Sequence, residues 1–173
     1  MTLTVLNPAT EEPITELEQA GVSETDAAVA RAGQALPEWR RIAPGDRARL
    51  LRRLGTLVEE HAEELARIES RNVGKPISGA RGEVGMVAQV FHFYAGAVDK
   101  HYGETIPVAG GVAATFREPL GVVGLIVYDE FLDSSVRVST PFGGFKQSGF
   151  GRELGMHALA GYSEVKSVYI STD

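Results

Sequence analysis

The stretch STPFGGFKQSGFGREL, Ser139 to Leu154, combines glycines, a lysine and a serine, the ingredients of a loop that cradles phosphate. Its spacing argues otherwise. A P-loop sets its lysine and hydroxyl residue directly after the last glycine, whereas Lys146 precedes Gly149. A dinucleotide fingerprint leaves two residues before its third glycine, and Gly149, Gly151 and Gly155 leave three. The stretch reads as turn-rich backbone, a connector. Asp129, Glu130 and Asp133 are a dense carboxylate group that could hold a metal or move protons, although an exposed acidic turn is the commoner form of such a cluster. Ser148 has no neighbouring base and sits in no G-x-S-x-G elbow. His61, His92, His101 and His157 are scattered, without the i, i+4 pairing or companion carboxylates that metal binding favours, and read as structural. The chain contains no cysteine, which removes disulfides, thiolate metal sites and any thiol nucleophile.

The elements that would position these residues follow from periodicity. SETDAAVARAGQAL reads as a helix capped by Ser23 and ended by Pro37. A second helical block opens at Pro44, places Leu50, Leu54, Leu57, Val58, His61, Leu65 and Ile68 on one face, and closes at Gly74 and Pro76. Glu63 and Glu64 precede Arg67 at pairing distance on the outer face. A third helix, Ser78 to Lys100, stacks Val84, Val87, Phe91, Tyr94 and Val98, with Phe93 pointing elsewhere. The period then changes. ETIPV, a turn at residues 109–111, VAATFRE and the run LGVVGLIVY predict a long hairpin. RELGMHALAGY predicts a short helix, and SEVKSVYIST alternates as a final strand.

At 173 residues the prior is one domain spanning 1–173. The net charge of −6 opposes a nucleic-acid partner, because phosphate neutralisation needs surplus Lys and Arg. The basic cluster Arg40, Arg41, Arg47, Arg49, Arg52 and Arg53 reads instead as a solvated helix surface. The start, MTLTVLNPATEEP, has no basic leader or apolar core of a signal peptide, and no apolar run is long enough to span a bilayer, so a cytoplasmic protein without membrane contact is expected.

NPATEEPI, the helices through NVGKP, YGETIPV and REPLGVVGLIV resemble the amino-terminal part of NAD(P)-dependent aldehyde dehydrogenases. PFGGFKQSGFGRELG followed by ALAGYSEVKSVYI resembles the carboxy-terminal end of that family. The chain thus looks like an internally truncated member: 1–127 resembles the amino-terminal region, 141–173 the carboxy-terminal segment, and 128–140 is a seam. The family's cysteine nucleophile, its glutamate base and most of its dinucleotide-binding fold lie between those two blocks. Its proline-tryptophan-asparagine-phenylalanine-proline motif is replaced here by YDEFL, and Trp39 is far upstream.

Oxidation in the family proceeds through a thiohemiacetal, hydride transfer and thioester hydrolysis, and each step needs a thiolate. The resemblance therefore implies no catalytic, cofactor-binding or metal-binding residue on this chain. No cofactor is expected, although NAD or NADP serves full-length relatives. It implies an α+β fold in which amino-terminal helices pack with a small antiparallel sheet, the long hairpin plus the last strand, like the family's oligomerisation arm. The expected function is a noncatalytic assembly module, forming a homo-oligomer or a hetero-oligomer with a full-length aldehyde dehydrogenase. The alternative is an oxidoreductase-related enzyme using Asp129, Glu130 and Asp133, or a regulatory subunit of a full-length dehydrogenase.

Overall fold

The structure, a computed structural model, describes residues 2–125 and 136–171. It opens on an antiparallel hairpin of β1 (Thr2–Leu6) and β2 (Pro13–Glu18). The sequence pattern above assigns no element here, although TLTVL and PITELE flank the turn-forming Asn7 and Pro8. In that turn the Asn7 side chain accepts the Ala9 amide, an Asx-type closure.

Helix α1 (Val22–Arg41) begins one residue before the predicted cap. Gly21 is the cap residue, its amide donating to the Glu24 carboxylate at 2.8 Å, so Ser23 lies inside the first turn. The helix also runs through Pro37, forgoing one amide bond. Nothing in α1 is buried. The predicted second block is two helices, α2 (Pro44–Glu60) and α3 (Ala62–Val73), broken at His61 and followed by α4 (Ile77–Ala97). Gly74 stops α3 in the left-handed region at φ 74°, and a β-carbon there would meet Pro8 at 2.8 Å, so this glycine both ends the helix and seats the first hairpin.

Helices α2, α3 and α4 pack together through small residues. The buried apolar positions of this layer are Ala48, Ala66, Ala80, Val84, Ala88, Ala95 and Ala97, and Gly55 lies against the His92 ring. Leu50, Leu54, Leu65 and Ile68, which share the predicted stripe, are exposed. Among the described residues no large side chain is fully buried.

One charge is buried in this layer. Lys75, 5 % exposed, donates to Glu69 at 3.0 Å and to Glu83 at 2.5 Å, tying the end of α3 to α4. Its hydrogen bond to Glu83, with that to Glu69 and both charges, outweighs desolvation and holds its pKa above the ordinary lysine value. Nearby, Glu63 is more than the solvent-side ornament that its i, i+4 spacing to Arg67 suggests. It receives two hydrogen bonds from Arg81 of α4, at 2.8 and 2.9 Å, besides the Arg67 contact.

The second sheet has the order β3 (Thr105–Val108), β4 (Gly111–Pro119), β5 (Ser163–Ser171), all antiparallel. The predicted hairpin ends earlier than expected. Leu120 to Leu125 form no strand: after the Leu120 amide donates to the Tyr162 carbonyl, Gly121 turns the chain at φ 123°. A four-residue helix, α5 (Ala158–Gly161), precedes β5.

Two outcomes are expected. Lys75→Met, which strands two glutamates, lowers unfolding stability by about 2–3 kcal/mol, the low side for a broken buried pair because both carboxylates still reach water; chemical denaturation measures it. Glu63, held at about 2 against an ordinary 4.5 chiefly by its Arg81 hydrogen bonds, stabilises the α3–α4 contact above its unfolded value, and this is lost as pH falls through the window from 4.5 to about 2. Carboxyl NMR titration of Arg81→Gln should show the Glu63 midpoint moving back up toward the ordinary value.

Candidate interaction surface

The sheet β3–β4–β5 is held by contacts that need particular residues. Gly103, just before β3, passes so close to β4 that a β-carbon would fall 1.7 Å from the Thr115 carbonyl oxygen. Tyr169 of β5 lays its ring over Gly111 and donates its hydroxyl to the Gly110 carbonyl at 2.9 Å, bracing the β3–β4 turn. Opposite each other on β4 and β5, Glu118 and Glu164 are like charges, relieved by Lys166 at 3.4 Å and Arg40 of α1 at 4.0 Å from Glu118.

Polar contacts position this arm against the helices. Ser163 donates its hydroxyl to Leu159 at 2.9 Å, so the 2.8 Å contact with His101 has the imidazole Nε2–H as donor. Burial first, then the charge of Arg117, lowers the His101 pKa and favours the neutral ring. Tyr94 of α4 donates to the Gly155 carbonyl at 3.2 Å beside an apolar cavity of about 320 Å³ that Leu154, Leu159 and Tyr162 help to line, and desolvation first raises its pKa.

The glycine-rich stretch folds back on itself. Phe142 and Glu153 exchange amide bonds of 2.8 and 2.7 Å, and Arg152 donates to the carbonyls of Gly144 and Gly151. Lys146 occupies a turn at φ 56°, its ammonium 5.7 Å from the Phe145 ring. Phe145 and Phe150 face solvent.

The histidines differ from their sequence reading in one respect: two do have carboxylate companions, His61 with Glu64 at 3.1 Å and His92 with Glu59 at 3.2 Å. The first pair comes from one helical turn and the second from α2 meeting α4, a contact that linear spacing hides. Among the described residues, no group of three or more His, Cys, Asp or Glu could hold a metal. Ser148 lies in a three-residue 3-10 turn. The basic cluster is partly neutralised within the chain, by Arg49–Asp46 at 2.9 Å and Arg53–Glu60 at 3.3 Å. Asp129, Glu130 and Asp133 lie outside the described residues. No described helix is long and apolar enough to cross a membrane.

What stands out is exposed apolar surface. Val112, Phe116, Val165, Tyr169 and Ile170 of the arm are all exposed. In the helical layer, Val58, Leu65, Ile68, Val84 and Val87 line an open groove of about 460 Å³. The chain presents 13030 Å² to solvent, whereas a folded monomer of 18.5 kDa would present about 8,200 Å².

Comparison with known proteins gives this geometry its context. The family model for the aldehyde dehydrogenase family matches residues 1–128 and 130–168. Hydroxyisobutyraldehyde dehydrogenase of Mycolicibacterium austroafricanum is 43% identical over 127 residues, covering 73% of this chain and 25% of its own length. Cytosolic 10-formyltetrahydrofolate dehydrogenase of Xenopus laevis is 42% identical over 130 residues, covering 70% and 14% respectively. Among solved structures, PnpE from Pseudomonas sp. WBC-3 superposes with a TM-score of 0.66 at 39% identity, over 69% of this chain and 25% of PnpE, and PnpE is also known in complex with nicotinamide adenine dinucleotide. The chain belongs to the aldehyde dehydrogenase family. It spans about a quarter of the length of most of these relatives, and its fold is the small α+β arrangement that matches part of theirs.

The close approach at Gly103 yields a direct test. Gly103→Ala should push β3 off β4 and destabilise the arm by about 1–3 kcal/mol, the usual cost of overpacking; amide hydrogen exchange should lose protection in β3 and β4 while α2–α4 keep theirs.

Proposed function

We propose that this chain is a noncatalytic assembly module of the aldehyde dehydrogenase family. The observation that carries the reading is chemical: none of its 173 residues is a cysteine, so it cannot form the thiohemiacetal through which the family oxidises aldehydes. Serine is a poor substitute without a base to activate it, and Ser148 of the glycine-rich stretch shows no side-chain partner among the described residues.

The strands β3, β4 and β5 form a connected sheet in the region that resembles the family's oligomerisation arm, and its apolar residues are exposed. Bare apolar patches of this extent mark interaction sites in soluble proteins. The module acts by presenting this surface to another chain, in a cytoplasmic setting and without nucleic acid, membrane or cofactor. NAD belongs to the longer relatives. A crevice for it would need several strand ends facing a helix amino terminus, and Leu120 to Leu125 form no strand.

Purified protein mixed with aliphatic and aromatic aldehydes plus NAD or NADP should produce no reduced nicotinamide, and calorimetric titration with either nucleotide should give only heat of dilution. Turnover that persists after affinity removal of contaminating dehydrogenases would sink the reading.

A further inference from the structure

The arm's two edges are not equivalent, and the difference can be read from the hydrogen-bond parity. Leu120 donates to the Tyr162 carbonyl at 3.1 Å, and Pro119, which has no amide, stands opposite Ser163. Antiparallel pairs alternate, so Glu164, Lys166, Val168 and Ile170 are the β5 residues bonded to β4. The other side of β4 agrees, since Thr115 donates to the Glu104 carbonyl at 2.8 Å, which makes its odd-numbered residues the ones bonded toward β3. It follows that the amides and carbonyls of Val165, Ser167 and Tyr169 point away from the sheet. Among the described residues, β4 is the one strand beside β5, so no described strand faces these groups.

On the opposite edge, Pro107 pairs with Val112, a β4 residue bonded toward β5, so the outward amide position of β3 is the one that proline lacks. Proline and a four-residue length close that edge. β5 is nine residues long and has no proline, and no described strand lies beyond it from Val165 to Tyr169.

We propose that the occupant of this edge is a second copy of the chain, joined through antiparallel β5–β5 pairing with Ser167 on the two-fold axis. This rests on the assembly-module reading and names its partner. The register follows from the parity and the charges. Outward groups must meet outward groups, so the two-fold passes either through an odd-numbered residue, as a bonded pair, or through an even-numbered one, as an unbonded pair.

Centring on Lys166 sets two lysines directly opposite each other. Centring on Val168 shortens the ladder. Centring on Ser167 engages the whole strand, sets Val165 against Tyr169 of the other copy, a β-branched and aromatic pair, and opposes Lys166 to Val168 and Glu164 to Ile170 with no like charges face to face. Val165, Tyr169 and Ile170, each half exposed or more in the single chain, then gain neighbours.

Parity supplies variants that touch one side of β5 only. Ser167→Pro removes an outward amide and leaves the β4 ladder intact; Ser167→Lys brings two charges together on the axis. Each should weaken the dimer by about tenfold or more in a sedimentation-velocity concentration series, with far-ultraviolet circular dichroism unchanged. Because the native chain has no thiol, Ser167→Cys should link to its own copy in high yield with a short thiol-to-thiol reagent, while Thr105→Cys on the closed edge should not. A native chain that stays monomeric across the series, a dimer indifferent to both Ser167 changes, or linkage through Thr105→Cys would overturn the proposal. A complex that is sensitive to Ser167→Pro but forms only with a full-length family member would overturn self-pairing and leave the assembly reading standing, whereas nicotinamide turnover would overturn the assembly reading whatever the stoichiometry.

Discussion

Ala66 and Ala80 lose all contact with water because α3 and α4 approach closely enough for methyl groups to meet, and the rest of this layer is built to the same scale, from Ala48 and Gly55 to Ala88 and Ala95. Small side chains let helices come near each other but bury little apolar area per residue, so this interior contributes little hydrophobic stabilisation. The larger residues that would normally supply it, Leu50, Leu54, Leu65 and Ile68, lie on outer faces. The layer is consequently held in good part by directed contacts: Lys75 with Glu69 and Glu83, and Glu63 with Arg81. Such contacts fix geometry well and add modest net stability, because a buried charge recovers mainly what its desolvation cost. The apolar faces that remain open are therefore a property of the fold's construction.

The sequence conveyed much of this and missed identifiable parts. Periodicity placed α4, β5 and the β3–β4 turn well, because each has a strong repeat bounded by Gly or Pro. It failed where tertiary context overrides local rules. Pro37 reads as a stop, yet α1 runs through it to Arg41, burying no residue. The leucine stripe of α2 and α3 shows the limit of amphipathic periodicity, which reports which side is apolar, not whether anything packs on it. Pairings between helices, such as His92 with Glu59 and Arg81 with Glu63, join residues 33 and 18 positions apart and have no local signature.

The candidate surface was legible in outline: the arm segments and the missing thiol can be read directly from residues. Its finer content, the closed and open edges, depends on bonding parity, which becomes fixed only once register is known. Gly103 is a similar case. In sequence it looks like an ordinary turn glycine in YGETIPV, and only the close approach to Thr115 shows why a side chain would not fit. The β1–β2 hairpin escaped notice because its strands are short and carry few large apolar residues.

Thiol-dependent aldehyde oxidation and strand pairing make different demands on a polypeptide. Aldehyde oxidation needs a thiolate, a base and a nicotinamide ring held together by elements from distant parts of a chain, and removing one group abolishes the step. Strand pairing needs only backbone amides and carbonyls at the right spacing, plus enough local structure to keep them there. Here that local structure is supplied by Tyr169 on the Gly110 carbonyl and by Gly103 beneath β4, with Ser163 of β5 bonded both to His101 and to Leu159 of α5, and Tyr94 of α4 to Gly155. None of these contacts calls on a catalytic group. On the reading proposed above, a family member spanning a quarter of its relatives' length keeps an edge capable of pairing without calling on the oxidation chemistry.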